Sequence, residues 1–230
     1  MTDLACVVTV GPGEADRHLE RMLTSARAWA DTLVVYGDGP DPATCATIAR
    51  FADHHWIGEN VQAGGEHLVR NRLLELAEHH IADGVIVAVL DADETLHATP
   101  ARSRAILSSL ADSPAQAWCV HFLHVWSPDG TVHRVDGMWQ PSVGPRIYRQ
   151  QPGQRVSPPS ADSWVCPPLP ATLRLASFQP VIDVLHWGYA LAEDRPRKHE
   201  RYRRLPGHHP AHIESIVEPP TLAVVPPPAD

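Results

Sequence analysis

VIVAVLDADE, residues 85–94, decides how the rest of the chain is read. Val85, Ile86, Val87, Val89 and Leu90 make an apolar run of the kind found in a strand buried on both faces. The run ends in Asp91 and Asp93, two carboxylates one residue apart, which repel each other unless something positive lies between them. A turn or helix cap needs only one short polar side chain. Hard divalent cations such as Mg2+ and Mn2+ take carboxylate oxygens, often one or two together with substrate phosphates. The pair therefore reads as a cation-binding group held at a rigid strand end.

Upstream, LACVVTV (4–10) and TLVVYGDG (32–39) read as buried strands. Between them GPGEADRHLERMLTSARAWA forms a turn and a helix, with Leu19, Met22, Leu23 and Ala26 on one face. DPATCATIARFA offers Asp41 as N-cap and Pro42 at the first helical position. A short strand is expected at His55 to Ile57, then a helix over 66–80 with Leu68, Leu73, Leu76 and Ala77 inward. Strands alternating with helices predict an α/β domain whose sheet is mostly parallel and flanked by helices. Ligands in such sheets bind beyond the carboxyl ends of the strands. Asp38 and the Asp91/Asp93 pair are thus expected on one rim.

The second half changes character. After a helix at 100–111 come QAWCVHFLHVW, TVHRVDGMW and GPRIYR, short strands that predict a small antiparallel part. Residues 152–170 are proline-rich and read as loop, PVIDVLHWGYA as a last strand, and EDRPRKHERYRRL as a surface helix. Residues 206–230 are expected to be a poorly ordered tail.

Composition narrows the function classes. At 230 residues the chain suits one domain, and 43% hydrophobic against 20% charged residues excludes a disordered protein. A net charge of -8, with basic residues clustered only in RPRKHERYRR, points away from nucleic acid. No run approaches the roughly 18 apolar residues of a transmembrane segment, and the opening MTDLACVVTVGPGE has no signal-peptide pattern. Cys6, Cys45, Cys119 and Cys166 form no CxxC pair and read as free thiols in a reducing compartment, so the expected location is cytoplasmic.

Two enzyme chemistries use a motif like DADET. One is the phosphatase motif of the haloacid dehalogenase superfamily, where Asp91 would be the nucleophile. That chemistry also needs a downstream lysine followed by an acidic pair, and the only lysine, Lys198, has no such pair after it. The other is the DxD motif of nucleotide-sugar transferases. Here the chain resembles the family 2 glycosyltransferases of GT-A fold over roughly residues 3–205. VVTVGPGEADRHLERML is similar to their first strand and helix, and LVVYGDGPDPATCATIARF to their "vvvDdgStDgT" segment. Arg70-Asn71 matches an Arg-Asn pair before the DxD strand, VLDADE that strand, GPRIYR an "lRLfR" strand, and HWGYALAEDRPRKHERY a closing "HyGy...rK..RY" element.

The resemblance implies a GT-A, Rossmann-like catalytic domain over 1–205, with 1–98 binding the nucleotide sugar and 99–205 the acceptor. It implies a glycosyltransferase that moves a sugar, with inversion, from a nucleoside-diphosphate sugar to an acceptor hydroxyl. Asp38, Arg70, Asn71 and Asp91 would bind the donor. Asp91, Asp93 and His186 would hold Mn2+ or Mg2+. The base would be Asp136, beside Trp139, or Asp162. The acceptor, whether carbohydrate, lipid-linked or protein, is not legible. A nucleotide-sugar-binding module without catalysis is the remaining alternative.

Overall fold

The computed structural model describes residues 3–62, 65–140, 142–158, 169–170, 173–204 and 210–228. Strand β1 (Leu4–Val10) is the axis of the fold, apolar in both registers and covered on both faces. Leu4, Cys6, Val8 and Val10 pack with α1 (Leu19–Arg27), α2 (Pro42–Phe51) and α4 (Pro100–Ser109). Ala5 and Val7 pack on the other side against Val69, Leu73, Leu76 and Ala77 of α3 (Glu66–His80).

β1 pairs in parallel with β2 (Thr32–Asp38) on one side and β4 (Ile86–Asp91) on the other, and β3 (His54–Gly58) extends the sheet in parallel beyond β2. Past β4 the sheet continues through β8 (Ser142–Arg149), β6 (Ala117–His124), β9 (Leu175–His186) and β5 (Glu94–Leu96), giving the order β3-β2-β1-β4-β8-β6-β9-β5. This is the mixed α/β architecture expected, with helices on both faces. The pairings β4–β8, β8–β6 and β9–β5 are antiparallel, but β6–β9 is parallel, a crossover that the short strands of the second half did not announce. Strand order reverses at β1: its successors β2 and β3 lie to one side and β4 to the other. Such a reversal opens a crevice at the carboxyl ends of the two diverging strands.

Local chemistry agrees with the predicted starts. Asp41 Oδ1 accepts from the Ala43 and Thr44 amides at 3.1 and 3.0 Å, and Pro42 opens α2. In α3 the inward face includes Arg70 and excludes Leu68, which is exposed. The reason is that Leu68 is one step, about 100°, from the buried Val69.

Residues 210–228 are also more ordered than their prolines suggest. Pro210–Ser215 forms a helix, α6, and β10 (Leu222–Val224) pairs antiparallel with β7 (Val132–Arg134). Ile213, Ile216 and Val225 are buried, and Ile216 packs with Trp126, Trp139 and Tyr189. These apolar anchors supply what a Pro-rich segment otherwise lacks. Among the described residues, no helix is long and apolar enough to cross a membrane.

Candidate functional site

At the crevice between β1 and β4 lies a cleft of about 630 Å³, within the range of small-molecule sites. Its floor is the strand ends: Thr9 and Val10 of β1, Asp38 of β2, Asp91 of β4 and Asp93 just beyond. Glu14, from the loop after β1, forms part of one wall. The opposite wall is α5 (Asp194–Arg204), which presents Arg197, Lys198 and Arg201. The surface helix read from the charges in this segment is therefore half buried: Asp194 is 4% exposed and the Lys198 side chain 16%.

Asp38 ends β2 with its carboxylate accepting from the amides of Val61 and Gln62 at 2.9 and 3.2 Å. That fixes the 58–62 loop at one end of the cleft, and the Tyr36 hydroxyl also hydrogen-bonds the Asp38 carboxylate. Arg70 reaches the cleft floor from α3, donating to Asp91 Oδ1 at 2.7 Å, Glu66 Oε1 at 3.0 Å and Thr9 Oγ1 at 3.3 Å. Asn71, one residue on, points elsewhere. It clamps residue 156, accepting from the Val156 amide at 2.8 Å and donating to its carbonyl at 3.0 Å. The expected donor contact from Asn71 is thus replaced by a strap on the following loop.

Asp91 meets a second guanidinium, Arg146 Nη2 at 3.2 Å. Burial alone would raise its carboxyl, but Arg70 and Arg146 outweigh burial and hold it below the ordinary range. Both oxygens of Asp91 are thereby engaged, whereas the phosphatase role would need one of them free to attack phosphorus. Arg146, from the GPRIYR strand, also grips Glu94 at 2.8 and 3.0 Å, and Glu94 in turn accepts from the Asp91 amide at 3.0 Å. The last acidic residue of DADE is therefore the lock of the turn. It escaped the sequence reading because its partner lies on β8.

Asp93 Oδ2 is shared by Lys198 Nζ at 3.2 Å and His186 Nε2 at 3.4 Å. Burial opposes its ionisation, but Lys198 and His186 prevail and hold the carboxyl well below its usual range. His186 ends β9 beside His124 of β6, and their Nδ1 atoms are 3.1 Å apart. Burial pushes His124 down to about 3, so it is neutral. The backbone ties the same corner together, with the Trp187 amide donating to the Asp93 carbonyl at 2.7 Å.

Asp91, Asp93 and His186 thus meet in one cleft, yet they do not form an open metal site. Both oxygens of Asp91 are ion-paired. His186 Nε2 faces the Asp93 carboxylate itself, 3.4 Å from Oδ2. An ammonium already stands on Asp93. Among the described residues no three His, Cys, Asp or Glu side chains are grouped to hold a metal ion. The donor set expected for Mn2+ or Mg2+ does not fit as arranged.

Nor does Asp136 belong to the cleft. Its carboxylate forks with Arg134 at 2.7 Å on both oxygens and accepts from the Thr221 amide at 3.0 Å. The Arg134 hydrogen bonds lower it to about 2, too acidic for a base at neutral pH. It fastens β7 to the segment before β10. Asp162 lies outside the described residues. The carboxyl that the sequence reading missed is Glu14, pushed up to about 7 by burial and by Asp93. Its only signal in the sequence is its place in GPGE, directly after the first strand. Two buried nitrogens of cleft-lining residues, His18 Nε2 and Arg70 Nε, have no hydrogen-bond partner among the described residues.

No family model and no curated protein matches the chain. Among solved structures it is similar to S. aureus TarS (residues 1–349) in complex with UDP, at 12% identity, covering 94% of this chain and 70% of that one, TM-score 0.46. It is similar also to CMP:2-keto-3-deoxy-manno-octonic acid synthetase complexed with CTP, at 19% identity over 64% of this chain and 74% of that one, TM-score 0.39. A third is 4-diphosphocytidyl-2C-methyl-D-erythritol synthase, at 16% identity over 65% and 76%, TM-score 0.41. The chain spans 42% of the longer TarS structure.

Proposed function

We propose that the protein is a glycosyltransferase that takes its sugar from a nucleoside diphosphate. One observation carries the reading. The acidic strand ends Asp38, Asp91 and Asp93 share a cleft at the point of strand reversal with a row of cations on α5. Acceptors on the cleft floor suit a nucleoside, whose base and ribose donate hydrogen bonds. Cations on the α5 wall suit a diphosphate.

In this reading Asp38 accepts from the base, and Arg197 and Arg201 face the phosphates. The acceptor's hydroxyl oxygen bonds to the anomeric carbon of the sugar as the bond from that carbon to the diphosphate oxygen breaks. The hydroxyl proton passes to Glu14, and the nucleoside diphosphate departs with the bonding electron pair. Glu14 suits that task because a base works best when its pKa lies near the operating pH. A single displacement of this kind inverts the anomeric centre.

The test is turnover of a panel of UDP-, CDP-, GDP-, ADP- and dTDP-sugars, read as released nucleoside diphosphate, with and without Mn2+. Slow release from one donor by the wild type, lost in Glu14→Gln, supports the reading. Donor binding without release under any condition favours the non-catalytic module.

A further inference from the structure

We infer that the ammonium of Lys198, standing on Asp93, is the cation that receives the donor's diphosphate, so that the cleft binds a diphosphate without a divalent metal. The inference rests on the proposed donor site and says what supplies its positive charge.

Geometry carries it. Lys198 Nζ lies 3.2 Å from Asp93 Oδ2 and 4.5 Å from the centre of the Tyr189 ring. It is held from two sides at a single place on the cleft wall. Gly188 completes the cradle: a Cβ there would run into both Lys198 Nζ and Asp93 Oδ2. The space is cut for a compact ammonium against bare backbone. A metal bound to the same carboxylate oxygen at about 2.1 Å could stand no more than about 5 Å from that ammonium, two cations crowded in a half-buried corner. The neighbouring groups do not make up the coordination as arranged, since both oxygens of Asp91 are taken by arginines and His186 Nε2 faces Asp93 at 3.4 Å. Arg197 and Arg201, beside Lys198 on the same helix, line the same wall and widen the positive surface for a second phosphate.

The chain contains one lysine among its 19 basic residues, which makes the test clean. Incorporating lysine labelled with 13C at Cε gives a single resonance, that of Lys198. Inorganic pyrophosphate is titrated in EDTA and followed by that resonance and by calorimetry. A parallel nucleoside diphosphate panel is run in EDTA and then with Mn2+ or Mg2+.

The expected result is pyrophosphate binding in EDTA with movement of the lysine resonance. Affinity falls at least tenfold in Lys198→Gln and rises in Asp93→Asn, where the ammonium loses its competing anion. The wild-type resonance keeps the test decisive should Lys198→Gln fail to fold. A stationary resonance, or Lys198→Gln binding like the wild type, overturns the inference. Nucleotide binding that requires Mn2+ or Mg2+ overturns it while leaving the donor site standing. Pyrophosphate binding that depends on Lys198, with no nucleotide bound, upholds it and removes the donor reading instead.

Discussion

Arg146 holds Glu94 by two bonds, Nη2 to Oε1 at 2.8 Å and Nε to Oε2 at 3.0 Å, beneath the turn that carries Asp91 and Asp93. Glu94 is 2% exposed, so its charge depends on that partner. Removing one member of a buried ion pair costs about 3–5 kcal/mol. Arg146→Met is therefore expected to lower the melting temperature by roughly 10 °C, at about 2–4 °C per kcal/mol for a chain of this size. Adding Glu94→Gln to Arg146→Met should restore part of the loss, because the orphaned charge is then gone. Circular dichroism melts of the two single variants and the double decide it.

Glu14 gives a prediction in which stability and activity move in opposite directions. Its folded value of about 7 exceeds the ordinary 4.5. The protonated form is favoured by folding, so its contribution is full below about 4.5 and is lost as pH rises through about 7. Glu14→Gln mimics the protonated form. It should match wild-type stability near pH 4.5 and exceed it at pH 8 by on the order of 3 kcal/mol. Turnover should rise with pH through about 7 in the wild type. In the variant it should be 10²–10⁴-fold lower and flat over that range. A variant no more stable than wild type at pH 8 contradicts the assignment.

Gly188 faces both members of the Lys198–Asp93 pair. Gly188→Ala keeps every charge but fills the cradle, and overpacking of this kind costs about 1–3 kcal/mol. The expected outcome is a modest drop in melting temperature together with at least a tenfold loss of pyrophosphate affinity in calorimetry. Unchanged affinity would show that the close approach is immaterial to binding.

Asp136→Ala separates structure from chemistry. The variant leaves Arg134, 1% exposed in its side chain, without its carboxylate, at a cost of about 3 kcal/mol. Because the Asp136 carboxyl sits at about 2 in the fold, below its ordinary 3.8, its contribution is present above about 3.8 and fades as pH falls toward 2. Melts should show the deficit at pH 7 shrinking in acid, while turnover per folded molecule stays at the wild-type level.

The fold was legible where apolarity was unbroken. β1 and β4 are apolar in both registers, and only a strand covered on both faces satisfies that pattern. Asp38, Asp91 and Asp93 were legible because they end such strands. What could not be read depends on partners distant in sequence. Asp136 looked like a base because Trp139 follows it, but Thr221 returns from the far end of the chain to occupy it. Glu14 owes its proton affinity to folded burial beside Asp93. The α5 segment is rich in charge and read as surface, yet Lys198 turns inward to Asp93 on the cleft floor. Three apolar residues, Ile213, Ile216 and Val225, order a tail whose prolines dominate its composition.

The most direct measurement is thermal unfolding of the wild type against nucleosides, nucleoside monophosphates and nucleoside diphosphates, each in EDTA and in Mn2+. A ligand that binds only the folded state adds RT ln(1 + [L]/Kd), about 2.7 kcal/mol at a hundredfold excess over Kd. For a chain of this size that amounts to roughly 5–10 °C. A nucleoside-diphosphate donor site predicts a rise of that size for at least one nucleoside diphosphate, with its nucleoside and monophosphate giving less. Melting temperatures unmoved by every nucleoside diphosphate, with or without metal, would contradict the account at its centre.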